Sequence, residues 1–136
     1  MKSQRRKRVV YRPTASKRPR RVAEPGATEW QLGERLERLV ETLGSNRVAE
    51  ILEVSPSQPS RWRRGIEHMS PANQRRVLDL DYVMARVLQL FPREQAEIWL
   101  TSHNAHLEAR PVDVLRLQGA GPVIAAADAE AAGAYA

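Results

Sequence analysis

Three side chains near the C-terminal end carry groups that can bind a metal ion, namely His103, His106 and Glu108. They fall in a segment that we predict to be a loop, and no fourth ligand accompanies them, so we do not expect a metal site. The 136-residue chain contains no cysteine, which excludes disulfides, thiolate metal sites and a cysteine nucleophile. It also contains no phosphate-binding glycine loop and no nucleophile elbow. We therefore expect neither a cofactor nor an enzyme.

A second pattern, between Asn46 and Gly65, is typical of a helix-turn-helix. Small Ala49 falls where two helices must cross closely, and Trp62 falls where the second helix packs back on the core. The second helix begins with polar side chains, which in such motifs reach base edges or phosphates. The same helix pair also serves as a plain packing or dimerisation unit, so the motif alone does not establish DNA binding. The predicted DNA-binding residues are Arg47, Ser57, Gln58, Ser60, Arg61, Arg63 and Arg64.

The basic charge of the chain is concentrated at its N-terminal end. Residues 1–22 contain ten lysines and arginines and no acidic residue, whereas the rest contains twelve basic and sixteen acidic residues. The net charge of +6 is therefore the sum of +10 in this arm and −4 in the body. We expect the arm to be disordered when free, and either to bind nucleic acid without sequence preference or simply to keep the protein soluble.

Capping and turn signals divide the remaining chain into helices. Thr28 is the predicted cap of the first helix, and Ser45, Ser55 and Ser70 are the predicted caps of the next three. Because no segment alternates as a strand would, we predict an all-α fold. The predicted helices cover about 29–43, 47–53, 56–64, 71–91, 93–100 and 112–117, and the tail from Gly121 is either a short helix or a flexible end.

The size and hydropathy of the chain limit its environment. No apolar run reaches the roughly 20 residues that a membrane helix needs, and the basic N-terminus is not followed by an apolar stretch. We therefore expect a soluble cytoplasmic protein that binds no membrane. The roughly 110 residues after the arm bury only a modest core, which favours self-association, as in a homodimer.

The segment from Trp99 to Leu115 combines an apolar anchor, a polar loop and a helix start. Asn104 can order the loop by bonding its own backbone. Arg110-Pro111 begins the next helix, and Asp113 in its first turn interacts favourably with the helix dipole. Core packing is the alternative role for Trp99.

This segment carries a family resemblance. The run Trp99-Leu100-x-Ser102-x-Asn104-x-x-Leu107, followed by Arg110-Pro111-x-Asp113-x-Leu115, resembles the toxin-binding domain of the Xre/MbcA/ParS antitoxins. The helix-turn-helix before it is similar to the Xre part, so that the resemblance covers about residues 28–125. His103 departs from the family, where proline is common, and so does the basic arm. The implied organisation is an arm and linker at 1–27, a helix-turn-helix domain at 28–76 and a toxin-binding domain at 77–136.

The resemblance implies an antitoxin of a type II toxin–antitoxin pair, whose partner is a RES-domain toxin that consumes NAD+. The antitoxin would block the active site of the toxin by binding it, and its helix-turn-helix would support dimerisation and repression at promoter DNA. The tail 128–136 is a hypothetical plug for the cleft of the toxin. The toxin-binding residues that the resemblance and the tail suggest are Trp99, Ser102, Asn104, His106, Arg110, Pro111, Asp113, Asp128 and Tyr135.

Two other functions stay open at this point. The first is a stand-alone transcriptional repressor that reads a palindromic site through Gln58 and Arg61 and has no toxin partner. The second is a protein that coats nucleic acid nonspecifically through the arm, for which a steep dependence on salt is expected.

Overall fold

Apolar residues at three- and four-residue spacing fold residues 29–133, the part of the chain that the structure describes, into helices in this computed structural model. No strand is present in that range, where Asn104 and Ala109 form an isolated antiparallel bridge. The prediction of an all-α fold is confirmed. The helices are α1 (Glu29–Leu43), α2 (Ser45–Leu52), α3 (Gln58–Arg63), α4 (Pro71–Leu90), α5 (Arg93–Thr101), α6 (Pro111–Gln118) and α7 (Ala120–Gly133).

The starts of α2 and α4 show two different ways to begin a helix. At α4 the side chain of Ser70 accepts a hydrogen bond of 3.1 Å from the backbone N–H of Asn73, which confirms the predicted cap. The predicted cap of α2 is wrong, because Ser45 is the first residue of that helix and no side-chain cap bond is present. Gly44 has a φ of 88°, a conformation that glycine adopts without strain, and so lets the chain pass directly from α1 to α2.

Helix α3 begins later than the sequence suggests. The predicted start at Ser55-Pro56 is wrong, because the backbone N–H of Gln58 donates to the carbonyl of Ser55 over 3.0 Å and closes a turn there. The helix begins at Gln58, and buried Pro59 takes its second position. Either proline suits a first helical turn, where the backbone N–H has no intrahelical partner, so the local sequence allows both starts.

The C-terminal tail is helical as far as the structure describes it. α7 runs to Gly133, which decides between the two alternatives for residues 121–133. Its buried residues Val123, Ala126 and Ala127 face the core, and α7 packs mainly against α4 and α6. The basic arm, the linker and the Thr28 cap lie outside the described residues.

One hydrophobic core runs through the chain from Leu32 onward. Helix α4 contributes Val77, Leu80, Val83 and Val87, all fully buried, and packs against α2, α5, α6 and α7. Trp62 of α3 belongs to the same cluster. The helix pair α2–α3 and the C-terminal helices are therefore held on a common helix. None of the helices between residues 29 and 133 is both long and apolar enough to cross a membrane.

Polar contacts fix α1 on this core. The carboxylate of Asp81, 6% exposed, accepts hydrogen bonds of 2.8 Å from Arg35 and from Arg38. At the other end of α1, Arg93 donates to the carbonyls of Glu41 and Thr42 over 3.0 and 2.8 Å. These carbonyls have no partner inside the helix, so Arg93 caps the C-terminus of α1.

Candidate functional site

The helix pair predicted between Asn46 and Gly65 is present as α2 and α3. Glu53 ends α2 in the left-handed conformation, with a φ of 61°, and the N–H of Val54 returns to the carbonyl of Ala49 over 3.0 Å. Ala49 and Trp62 are both buried, which confirms their predicted packing roles. The tight turn between the helices is therefore set by local backbone bonds and by two core contacts.

The predicted DNA-binding side chains of α3 and its flanks lie on the surface. Ser57, Arg61, Arg63 and Arg64 are exposed, whereas Gln58 and Ser60 are half-buried. Arg63 forms a salt bridge of 2.7 Å with Glu37, and Arg61 forms a longer one of 3.5 Å with Glu67. Phosphate contacts by these two arginines would compete with those pairs.

Arg47 lies apart from the other predicted DNA-binding residues. It projects from α2, where its guanidinium binds Glu97 of α5 over 2.7 Å and Glu50 over 2.8 Å. The hydrogen bond to Glu97 is the largest cause that raises the pKa of Arg47 above its ordinary value. In this position Arg47 joins the helix pair to the C-terminal helices.

Trp99 lines a surface pocket at the end of α5. Its ring stacks on Phe91, with centroids 6.0 Å apart, and its indole Nε1–H donates to Oε1 of Glu130 over 2.9 Å. The side chain is half-buried and packs against the core, as the core-packing alternative expects. We call this space the Trp99 pocket. It has a volume of about 490 Å³ and is lined by Phe91, Gln95, Ile98, Trp99, Ser102, His103, Asn104, Ala105 and Glu130.

Asn104 organises the loop after α5. Its buried side chain accepts a hydrogen bond of 3.1 Å from the N–H of Leu107, and its backbone bonds Ala109 and Glu108 over 2.9 and 2.7 Å. The predicted ordering of the loop by Asn104 is confirmed. Ser102, His103 and His106 are exposed on this loop. Among the described residues, no group of three or more His, Asp or Glu side chains is placed to hold a metal ion.

The start of α6 carries a cluster of charges. Arg110 donates to both carboxylate oxygens of Asp113, over 2.9 and 3.1 Å, and Arg116 donates to the same carboxylate. The bond from Arg110 is the largest cause that holds the pKa of Asp113 below its ordinary value. Pro111 is buried beneath the cluster. Arg110 is exposed and Asp113 half-buried, so this end of α6 presents a fixed ion pair at the surface.

Arg116 is a residue that the sequence analysis missed. It also donates to the carbonyl of Ile51 over 2.7 Å and lies 3.4 Å from Glu53, which connects α6 to the C-terminal end of α2. Its spacing of three residues from Asp113 is a detectable signal for that pair. The contact with Ile51 spans 65 residues and leaves no local signal.

Of the two tail residues predicted to bind the toxin, the structure describes only one. Asp128 lies within α7 and forms a salt bridge of 2.9 Å with Arg86 of α4. Tyr135 lies outside the described residues. Glu130, the partner of Trp99, was not singled out from the sequence, because 31 residues separate the two side chains.

Comparison with known proteins identifies the family. The mycobacterial cidal antitoxin MbcA of Mycobacterium tuberculosis is 35% identical to this chain over 89 residues, which are 65% of this chain and 79% of that antitoxin. The MbcA antitoxin of Mycobacterium bovis matches to the same extent. No family model matches the chain. The chain belongs to the MbcA family of antitoxins.

The structural comparison agrees with this MbcA assignment. A chain in the crystal structure of the M. tuberculosis MbcT–MbcA toxin–antitoxin complex superposes with a TM-score of 0.62 at 33% identity, covering 77% of this chain and 97% of that one. The resemblance drawn from the Trp99–Leu115 pattern is confirmed as far as the MbcA family. Since these relatives are antitoxins, they also support the prediction that the chain is not an enzyme.

Proposed function

We propose that this MbcA-family chain is the antitoxin half of a type II toxin–antitoxin pair and neutralises a toxin by binding it directly. The observation that carries the proposal is its likeness to a chain of the MbcT–MbcA complex over 77% of its length. The partner that we propose is a RES-domain toxin that consumes NAD+, as the resemblance of the C-terminal motif implies. Binding would block the active site of that toxin.

We place toxin contact on the surface between the end of α5 and the start of α6. Ser102, His106 and Arg110 are exposed there, and the Trp99 pocket opens beside them. Asn104 and Pro111 are buried, so we assign them the role of fixing the loop and the start of α6. The division into a helix-turn-helix domain up to residue 76 and a toxin-binding domain from residue 77 stays a proposal, since residues of both segments pack in one core.

Co-expression with the adjacent reading frame tests the neutralisation. We expect the neighbouring protein alone to stop growth and to lower cellular NAD+, and this chain to restore both while co-purifying with it. Arg110→Glu should weaken the rescue, because it places like charges beside Asp113 and reverses the charge at the proposed contact surface. Gln58→Ala, in the helix pair α2–α3 away from the proposed contact surface, is the control and should leave the rescue intact.

The two possible failures of this experiment have different meanings. A neighbour that is harmless and does not co-purify would overturn the antitoxin proposal for that pair of genes. A toxic neighbour that this chain neutralises without any change in NAD+ would overturn only the proposed toxin chemistry.

The plug hypothesis needs a sharper truncation than removal of 128–136. Removing Asp128 and Glu130 also removes their bonds to Arg86 and Trp99, so that loss of neutralisation would have two causes. A chain that ends at Gly133 keeps α7 and lacks Tyr135. If residues 134–136 enter the cleft of the toxin, this shorter chain binds the toxin more weakly. Unchanged neutralisation would remove Tyr135 from the proposed contact residues.

A second, subordinate proposal is repression of the shared promoter by a homodimer. It is favoured by the exposed Ser57 just before α3, by the exposed Arg61 within α3, and by the half-buried Gln58 between them. DNase footprinting at physiological salt tests it, with Gln58→Ala and Arg61→Ala expected to reduce protection. Removal of residues 1–22 separates sequence-specific binding, which should survive, from nonspecific coating, which should not. Light scattering of the purified chain measures whether it is a dimer.

A further inference from the structure

We propose that the Trp99 pocket receives an arginine side chain of the toxin. This inference rests on the proposed function, because it names the chemistry of a toxin residue at the contact surface.

The pocket carries one negative charge among the residues that the structure describes. Of its nine described lining residues, Glu130 is the only carboxylate and none is a lysine or arginine. The partner of Glu130 is the indole N–H of Trp99, which is neutral and occupies Oε1. Oε2 and the charge of the carboxylate therefore stay available to a cation from outside.

Three other carboxylates of the C-terminal helices are bound by arginines of this chain. Asp113 binds Arg110 and Arg116, Asp128 binds Arg86, and Glu97 binds Arg47. The pairs of Asp128 and Glu97 each join two helices, and the pairs of Asp113 lie within α6 and its N-cap. Glu130 is bonded instead to the neutral indole of Trp99, at the edge of an open pocket.

The aromatic groups select the type of cation. Trp99 and Phe91 are stacked at an interplanar angle of 28°, and the indole of Trp99 is fixed by its bond to Glu130. A cation is attracted to an aromatic face, most strongly to that of tryptophan. A guanidinium group is planar and weakly hydrated, so it stacks on such a face while donating to a carboxylate, whereas an ammonium group is a compact and strongly hydrated point charge. Ile98, 62% exposed, supplies apolar surface for the methylene groups of an arginine.

Glu130→Gln is the decisive variant, because it removes the charge and keeps an oxygen that can accept the indole N–H of Trp99. The matched control is Glu94→Gln, an exposed glutamate on α5 that does not line the pocket. Affinity for the purified toxin is measured by calorimetry with the full chain. A hydrogen bond to a charged group is worth about 1.5–3 kcal/mol, so we expect the Kd of Glu130→Gln to rise about tenfold to a hundredfold. The Kd of Glu94→Gln should stay within about a factor of two.

A second measurement examines the pocket without the toxin. The indole N–H resonance of Trp99, assigned by its disappearance in Trp99→Phe, is followed by NMR while N-acetylarginine amide is added. The neutral isostere N-acetylcitrulline amide is the control ligand. We expect a saturating shift with the arginine compound, a much smaller shift with the citrulline compound, and loss of the difference in Glu130→Gln.

The outcomes separate this inference from the proposed function. If the wild-type chain binds the toxin and Glu130→Gln binds it as tightly as Glu94→Gln does, the arginine contact is wrong while the antitoxin function stands. If the wild-type chain binds no toxin, the proposed function fails, and the contact with a toxin arginine fails with it. Equal shifts with the two small ligands would also overturn the inference, since the pocket would then not distinguish charge.

Discussion

The buried carboxylate of Asp81 makes the contact between α1 and α4 that should be most sensitive to loss of its partners. Its two partners, Arg35 and Arg38, both donate to Oδ2 over 2.8 Å. Replacing both arginines with alanine leaves an ionised carboxylate at a position that is 6% exposed. Removing the partner of a buried ion costs about 3–5 kcal/mol. Because the arginine side chains are 38% and 57% exposed, water reaches the vacated space, and we expect a cost near the lower end, about 3 kcal/mol.

The two sides of this ion cluster should respond unequally. Asp81→Asn leaves two exposed arginines in water, so we expect it to cost only about 1 kcal/mol. Added to the double arginine variant, Asp81→Asn removes the stranded charge and should recover about 1–2 kcal/mol. Urea unfolding followed by far-UV circular dichroism measures all of these variants, with an unchanged slope expected. A loss of about 3 kcal/mol lowers the Tm by roughly 10–20 °C in a domain of this size.

Glu34→Ala is the control for changes on α1, since Glu34 is exposed, and it should alter the free energy of unfolding by no more than about 0.5 kcal/mol. The decisive comparison is between the double and triple variants. If Arg35→Ala/Arg38→Ala is at least as stable as the same chain with Asp81→Asn, the stranded charge is not the cause of the loss. The arginines would then act through the packing of their methylene stems.

Three further predictions concern single residues. Ser70→Ala removes the acceptor for the N–H of Asn73 and should lower the free energy of unfolding by about 1 kcal/mol, measured as a lower urea midpoint. Burial raises the pKa of Asp79, so the folded state disfavours its ionised form, and stability falls as the pH rises above the unfolded pKa of about 3.9. Asp79→Asn should therefore have a higher Tm than the wild type at pH 7, and the difference should vanish in acid; a lower Tm at pH 7 would contradict this assignment. The pKa of Asp113 is lowered chiefly by its bond from Arg110, so that its stabilisation is present above about pH 3.9 and is lost as the pH falls through the folded pKa. Arg110→Met should raise the pKa of Asp113, seen in the carboxyl carbon shift by NMR, and an unchanged titration would show that Arg116 alone sets it.

Much of the fold could be predicted from the sequence because it depends on interactions between residues close in the chain. The all-α class follows from apolar spacing, and the start of α4 follows from Ser70-Pro71, whose cap acts over three residues. Ala49 and Trp62 were assigned to packing by their positions in a short motif. Asn104 orders its loop through a bond to the residue three positions on, which the residue type alone suggests.

Local rules failed where two local solutions had similar energies. A helix can begin at Ser55-Pro56 or at Gln58-Pro59. The later start is the one in the tertiary structure, where Pro59 is buried. The first residue of α2 was misplaced for a related reason, since Gly44 removes the need for a side-chain cap at Ser45.

At the candidate site, contacts between residues far apart in the sequence could not be predicted from it. The sequence by itself determined which residue types lie near the end of α5 and the start of α6, and their spacing was enough to indicate the family. The tertiary structure alone decided which polar side chains meet, because the pairs Arg47–Glu97 and Trp99–Glu130 join residues 50 and 31 positions apart. Such pairs form only after the apolar faces of the helices have packed on α4, and that packing is set by the whole core rather than by any short pattern of residues.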